Sequence, residues 1–281
     1  MKTYKTITDY RNWRKQLPLG ASIGFVPTMG ALHQGHMSLV KASCGINSVT
    51  VVSIFVNAIQ FNSKKDFEKY PVTLERDLEM CKKAGVDAVF IPSQNTMYGE
   101  NHSTFCEVEQ LDTHLCGATR PGHFKGVCTV VLKFFNIIMP TVAYFGQKDF
   151  QQAAIICKMV EDLNIHIKID IKETIREPDG LAMSSRNVRL SVLERERALS
   201  IYRGLQKAKQ QVHSGIHDTR QLIEVLTAEI EKASPKKIDY ISVVSQQTLQ
   251  PLKELNEPAV IAVAVFFGDT RLIDNIVVEP G

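Results

Sequence analysis

Gly24-Phe25-Val26-Pro27-Thr28-Met29-Gly30-Ala31-Leu32-His33-Gln34-Gly35-His36 is the stretch on which the reading of this chain turns. A buried-strand pattern, Ala21 to Val26, breaks at Pro27, passes two glycines and re-enters an apolar-periodic segment at Met37, Leu39 and Val40. Strand, glycine turn and helix start are the order of a nucleotide site, because the turn admits backbone N–H groups to a phosphate and the helix N-terminus adds a positive dipole end. The unusual feature is the pair His33 and His36. Two imidazoles three residues apart can both face a phosphate chain and donate to it as its charge shifts. Half a zinc site and two surface histidines are the competing readings. Zinc needs further ligands, and no second His/Cys cluster at ligand spacing is present. The spacing matches neither the dinucleotide G-x-G-x-x-G nor the P-loop.

Outward from this stretch the chain alternates strand and helix. Ile7 to Leu17 reads as an amphipathic helix. Val49 to Val56 is a continuous β-branched run, as a strand covered on both faces requires, and it empties into the polar loop Asn57 to Asn62. Thr73 to Ala84 is helical and is closed by Gly85, and Val86 to Ile91 is the next strand. A short strand is expected at Phe105 to Val108. The basic glycine loop Arg120 to Gly126 then precedes an apolar helix, Val127 to Met139. Val142 to Phe145 is a strand, Gly146-Gln147-Lys148-Asp149 opens a helix through Asn164, and His166 to Ile171 is another strand. The alternation predicts an α/β, Rossmann-like doubly wound parallel sheet. The pattern changes near residue 175. Ser191 and Glu194 form a capping box ahead of a long helix, a second helix runs from Asp218 to Ala233, and strands follow at Ile238–Val244, Ala259–Phe267 and Arg271–Val278. The expected organisation is a first domain over 1–174 and a smaller α+β domain over 175–281.

Composition narrows the function classes. The 281 residues are 44% hydrophobic and 22% charged, with a formal net charge of +3. That charge is too small, and too evenly spread, to argue for nucleic acid. No apolar stretch reaches membrane length and no signal peptide opens the chain, so a cytoplasmic protein is expected. The six cysteines are scattered through apolar segments without a Cys-x-x-Cys pair, and read as reduced core residues.

Four polar loops fall at strand ends or element junctions: the histidine turn, Asn57 to Asn62, Gly146 to Asp149, and Gly180-Leu181-Ala182-Met183-Ser184-Ser185-Arg186-Asn187. Serine hydroxyls with a guanidinium can wrap phosphate oxygens, the arginine bidentately. Alone, each has a plainer reading: Lys148 a solvated charge, Gln60 and Gln152 loop or helix-face residues, Ser184-Ser185-Arg186 an N-cap cluster. His33-Gln34-Gly35-His36 together with Met183-Ser184-Ser185-Arg186 resembles the paired motifs of the HxGH nucleotidyltransferase superfamily. Pro27 to His33, Val56-Asn57, Gln60-Phe61, Arg120 to Phe124, Gly180 to Asn187 and Arg271 to Asn275 are similar to blocks of the pantoate–β-alanine ligase family. Three positions depart from that pattern: Ala58 for the usual proline, Val72 for an arginine, and Arg189 for a common aromatic.

The resemblance implies ATP-dependent joining of (R)-pantoate and β-alanine through an acyl adenylate, with Mg²⁺, in a homodimer that uses neither nucleic acid nor membrane. It implies an ATP site of Met29, Gly30, Ala31, Leu32, His33, Gln34, Gly35, His36, Gly146, Gln147, Lys148, Asp149, Ile175, Met183, Ser184, Ser185 and Arg186. Within it His36, His33, Lys148 and Arg186 would do the chemistry. Gln60 and Gln152 would hold pantoate, with Gln60 also meeting β-alanine. Asp77 is a candidate for the Mg²⁺ shell, a solvated helix carboxylate being the alternative. Another adenylyltransferase, a truncated tRNA synthetase and a non-catalytic ATP-binding regulator are the other readings.

Overall fold

The computed structural model describes residues 1–280, the side chain of Lys65 excepted. The chain forms two compact units. The first comprises Met1–Gln110, Arg120–Gln147 and Gln152–Glu173; the second comprises Leu111–Thr119, Lys148–Gln151 and Thr174 onwards.

Six strands build the first unit: β1 (Lys2–Tyr4), β2 (Ile23–Thr28), β3 (Val49–Ile54), β4 (Ala88–Phe90), β5 (Val142–Gly146) and β6 (Lys168–Lys172). They lie in the order β1-β4-β3-β2-β5-β6, every pair parallel. All six residues of β3 are buried, Thr50 and Ser53 among them, which is why apolar residues fall on both faces rather than alternating. Strand order reverses between β2 and β5. The C-terminal ends of those two strands therefore flank the crevice in which open α/β sheets bind ligands. The histidine turn leaves the end of β2, and Gly146 is the end of β5. Val26, Val52, Val89 and Tyr144 pack with Leu39 and Val40 of the helix Gln34–Ile46, and this core holds the turn against the sheet.

The second unit has strands β7 (Lys237–Ser245), β8 (Ala259–Phe267) and β9 (Thr270–Val278) in an antiparallel meander. Two helices, Leu199–His213 and Thr219–Glu231, share its core. Ile201, Leu205, Leu222 and Leu226 meet Ile261, Val263 and Val265 of β8 there. Each such side chain contributes about 1.5–3 kcal/mol on burial. The helices approach closely at Gly204, where a Cβ would stand 2.3 Å from a Leu226 methyl.

Several expectations are corrected. Pro27 does not break the strand; it pairs with Ser53 of β3. The ladder from β2 to β5 ends at Phe25, so no donor is demanded of the proline on that side. The following helix starts at Gln34, three residues ahead of Met37, its first apolar-periodic position. Phe105 to Val108 forms no strand, because the Cys106 N–H donates to Thr129 Oγ1 (3.0 Å) rather than to a neighbouring chain. The glycine loop before residue 127 is helical from His123, with Gly122 in the left-handed region (φ 76°) as its N-cap. The long helix expected after Ser191 is two, Val192–Arg197 and Leu199–His213, although the Ser191–Glu194 capping box forms. Residues 111–119 and 148–151, expected in the first domain, belong to the second unit. Gln151 joins the two segments, its amide donating to the carbonyls of Leu111 (2.9 Å) and His114 (2.7 Å) and accepting from the Cys116 N–H, and bonds from Arg271 to Thr119 (3.3 Å) and from Asn275 to the Lys148 carbonyl (2.9 Å) tie them to the second unit.

Candidate active site

In the first unit the histidine turn is shaped by a carboxylate beneath it. Gly30 (φ 81°) and Ala31 (φ 50°) are both left-handed, and this conformation turns successive N–H groups inward. Asp77 Oδ2 accepts from the Ala31 N–H (2.8 Å), and Oδ1 accepts from the Leu32 N–H (2.9 Å) and the Thr73 hydroxyl (3.0 Å). Asp77 is 1% exposed. Three of its roughly four lone-pair sites are taken by these bonds, so it is not the solvated helix carboxylate of the alternative reading. Thr28 completes the turn, donating to the Ser53 carbonyl (2.7 Å) and accepting from the Gly30 N–H (3.1 Å).

The two histidines form a reciprocal cap on the helix Gln34–Ile46. His33 Nδ1 accepts from the Gly35 N–H (3.1 Å), and His36 Nδ1 accepts from the His33 N–H (3.3 Å). The rings lie 4.1 Å apart, centroid to centroid. An Nδ1 that accepts carries no proton, so in the neutral rings the N–H is on Nε2. Backbone capping thus sets both tautomers and leaves each imidazole a donor at Nε2, beside the positive end of the helix. Both rings, with Gly35, are half-buried, and Gln34 is exposed.

The 3-10 turn Ala58–Gln60 follows β3. Gln60 is buried; its Nε2 reaches the Met29 sulfur (3.2 Å), and its backbone carbonyl accepts from His123 Nδ1 (2.7 Å) and Arg120 Nη2 (3.4 Å). Arg120 and His123, from the basic glycine loop, bond to this turn. Gly126 lets the helix His123–Ile138 approach it: a Cβ there would lie 2.8 Å from the Gln60 backbone. Gln152 lies half-buried in the first turn of the helix Phe150–Asp162, and Gly146 and Gln147 are half-buried at the end of β5.

In the second unit, Ile175 to Met183 is a small hairpin, with the Met183 N–H on the Ile175 carbonyl (3.0 Å) and Arg176 bridged to Ala182. Its turn needs Gly180 (φ 98°), where a Cβ would strike the Tyr202 ring at 2.1 Å. Arg176 donates twice to Asp274 of β9 (2.6 and 3.0 Å) and once to the Gly180 carbonyl (3.1 Å). Beyond the hairpin, Ser184 Oγ accepts from the Arg186 N–H (3.2 Å), and the Asn187 side chain donates to the Ala182 carbonyl (3.1 Å). Met183 to Arg186 is a tight, half-buried turn. Lys148 is half-buried, Asp149 is exposed, and the Lys148 carbonyl accepts from Asn275 Nδ2 (2.9 Å). Three neighbouring residues of β9 therefore hold three separate segments, since Arg271 bonds Thr119 (3.3 Å) while Asp274 holds Arg176 and Asn275 holds Lys148. Sequence reading missed Arg176, Gln151 and the anchoring work of β9. Their partners lie 35 to 155 positions away, and no local spacing reports them.

Among the described residues no group of three His, Cys, Asp or Glu side chains is placed to hold a metal ion. The six cysteines are free thiols, and burial pushes the Cys81 thiol up to about 12, far from a reactive thiolate. No helix among them is long and apolar enough to cross a membrane.

Residues 2–277 match the family model described as pantoate-beta-alanine ligase. A pantothenate synthetase of Thermosipho africanus is 47% identical over 99% of this chain and 100% of its own, and one of Clostridium novyi is 49% identical over 96% and 94%. A crystal structure of pantothenate synthetase from Thermus thermophilus superposes with a TM-score of 0.94 at 40% identity, covering both chains completely. The pantoate-beta-alanine ligase of Francisella tularensis, solved with β-γ ATP and β-alanine, superposes with a TM-score of 0.84 at 37% identity, again over both whole chains. A glycine turn capped by two histidines at the end of the second strand of such a sheet, and a match of this length, lead to one conclusion: the chain belongs to the pantoate–β-alanine ligase family.

Proposed function

We infer that this chain is the ATP-dependent ligase that joins pantoate and β-alanine to give pantothenate, through a pantoyl adenylate, with release of AMP and pyrophosphate. Family membership over nearly the whole chain supports the overall reaction. The observation that carries the chemistry is the histidine cap at a helix N-terminus, whose accepting Nδ1 atoms place the proton of each neutral ring on Nε2.

A carboxylate is a poor acyl donor. The pantoate carboxylate oxygen first attacks the α-phosphorus of ATP, the bond to the β-phosphate oxygen breaks, and the mixed anhydride carries a good leaving group. Charge grows on the non-bridging phosphoryl oxygens and on departing pyrophosphate. His33 and His36 donate to that charge, Lys148 and Arg186 oppose it, and the hydroxyls of Ser184 and Ser185 hydrogen-bond it. Met29 to Gly35, Gly146, Gln147, Asp149, Ile175 and Met183 shape the nucleotide's surroundings. Gln60 and Gln152 orient pantoate, bringing its carboxylate to the phosphorus. The amine of β-alanine then attacks the acyl carbon and expels AMP. That step needs no protein nucleophile.

Mg²⁺ belongs to the proposal as the counterion of the triphosphate. Ala31, Leu32 and Thr73 engage three of the Asp77 lone-pair sites, and the cation would take most of its oxygens from substrate phosphates and water, in ATP sites usually with one or two carboxylates besides. When bound it neutralises phosphate charge. A homodimer in the cytoplasm, acting on small molecules and not on nucleic acid or membrane, completes the reading and follows the family resemblance.

Pantoate-dependent exchange of labelled pyrophosphate into ATP, without β-alanine, tests the adenylate directly. The parent should exchange, and AMP should appear only when β-alanine is added. His36→Ala should stay folded, with a melting temperature lowered by the loss of one helix cap, and lose roughly 10²–10³-fold in exchange rate, the usual cost of one such donor. Near-normal exchange in that variant, or exchange that requires β-alanine, overturns the reading.

A further inference from the structure

Gln60 has its side-chain amide oriented by a chain of hydrogen bonds whose direction can be worked out from one end. Asn57 is 1% exposed, and its side chain makes three bonds. One goes to the Gly126 backbone carbonyl (3.1 Å), which can only accept. The nitrogen of Asn57 must therefore face Gly126. Its second N–H then points to Gln60 Oε1 (2.9 Å), and its oxygen faces the hydroxyl of Tyr98. Tyr98 must be the donor there, since the amide oxygen has no proton. With Oε1 occupied, Gln60 is left with Nε2 as its outward group, beside Met29 (3.2 Å).

Tyr98 is built for that one role. It closes the short helix Gln94–Tyr98 after β4, and its ring is packed against Phe55 (6.2 Å) and edge-on to His102 (4.9 Å). Burial raises the pKa of its phenol, which keeps the proton on the oxygen throughout the neutral range. The chain Tyr98 → Asn57 → Gln60 lies wholly within the first unit.

We propose that Tyr98 is a positioning residue for pantoate: through Asn57 it fixes the Gln60 amide with the N–H side outward, so that Gln60 donates to a pantoate oxygen. This rests on the reading that Gln60 binds pantoate. Without the Tyr98 hydroxyl, the Asn57 oxygen is buried with no donor. The amide cannot escape by flipping, because flipping would set oxygen against the Gly126 carbonyl. The side chain must shift, and Gln60 loses its orientation.

Tyr98→Phe keeps the ring and removes only the donor. It should raise the pantoate KM about three- to tenfold, the fold-change of one lost neutral hydrogen bond, with the ATP KM unmoved and the melting temperature modestly lowered by the Asn57 oxygen left buried without its donor. Asn57→Asp should raise it further, because the new carboxylate turns oxygen toward Gln60 and draws Nε2 inward. The decisive measurement is Tyr98→Phe in a Gln60→Ala background. If Tyr98 acts through Gln60, the pair should show no pantoate penalty beyond that of Gln60→Ala alone. A full additional penalty in that background, a parallel rise in the ATP KM, or no effect of Tyr98→Phe in the parent overturns the positioning role. An unchanged pantoate KM in Gln60→Ala alone overturns the pantoate assignment beneath it, and the two failures are thereby told apart.

Discussion

The turn at 28–36 and the hairpin at 175–183 both lead into groups proposed to face ATP, and they are held by opposite devices. In the first, a buried carboxylate sits under the loop and is satisfied by the loop's own backbone: Asp77 takes the N–H groups of Ala31 and Leu32. In the second, the loop supplies the charge. Arg176 leaves the hairpin and pairs bidentately with Asp274 of β9, whose side chain is 3% exposed. The first device sets backbone conformation and asks of the turn's own residues chiefly the left-handed Gly30 and the Thr28 hydroxyl. The second sets position and depends on one arginine, further held over the Tyr202 ring at 4.9 Å. A loop whose N–H groups must be aimed needs the former; a loop whose side chains must be delivered is served by the latter. Neutral donors around an anion and a paired cation also respond differently to loss. The first leaves unsatisfied dipoles, the second an uncompensated buried charge.

That difference sets the order of expected effects. Asp274→Ala should be the most damaging, costing about 3–5 kcal/mol because Arg176 is stranded; denaturant unfolding measures it, and a loss below about 1 kcal/mol would class the pair with surface ion pairs and erase the contrast. Arg176→Met combined with Asp274→Leu should return most of that stability while pyrophosphate exchange stays low, which separates holding the fold from placing the loop. Asp77→Asn comes next. It keeps one acceptor oxygen and turns an NH₂ toward a backbone N–H, for a loss of about 1–3 kcal/mol. Its Mg²⁺ dependence at saturating ATP should match the parent's; a displaced Mg²⁺ midpoint would return Asp77 to the metal shell. The smallest effect is expected where neither device operates. Ala58 is the first residue of its 3-10 turn, and Asn57 before it is extended (φ −78°, ψ 101°), as a residue preceding proline must be. Ala58→Pro should therefore stabilise by roughly 0.4–1 kcal/mol with pantoate binding retained; a lower melting temperature would show that the turn needs alanine's freedom.

The parallel sheet was legible because β3 carries valine or isoleucine on both faces, as a strand does when both faces are covered. The α+β character of the second unit was legible from two helical periods followed by three strands without alternation. The histidine pair was legible from its spacing beside the glycines, but the tautomers of its rings were not. They depend on which ring nitrogen meets a backbone N–H, and that is a matter of the helix beginning at Gln34 rather than three residues later. Pro27 misled because a proline's tolerance in a strand depends on where the neighbouring ladder stops. Asp77 misled for a similar reason. A carboxylate in the first turn of an amphipathic helix reads as solvated until the partner loop, some 45 positions upstream, is laid over it.

By itself the sequence determined what is periodic or contiguous: the strand–turn–helix order, the covered strands, the Ser191 cap, the His-x-x-His spacing and the family blocks. These are set by interactions within a few residues, or by a burial pattern written along one element. Tertiary structure alone decided what each polar side chain is for. Gln151 and Gln152 are adjacent and chemically identical, yet the first is buried with its amide committed to Leu111, His114 and Cys116, and the second is half-buried at the end of the sheet. Asp77, Arg176 and Tyr98 likewise take their roles from partners 41 to 98 positions away. A hydrogen bond is short-ranged in space and blind to distance along the chain, so only the folded molecule can say which groups it joins.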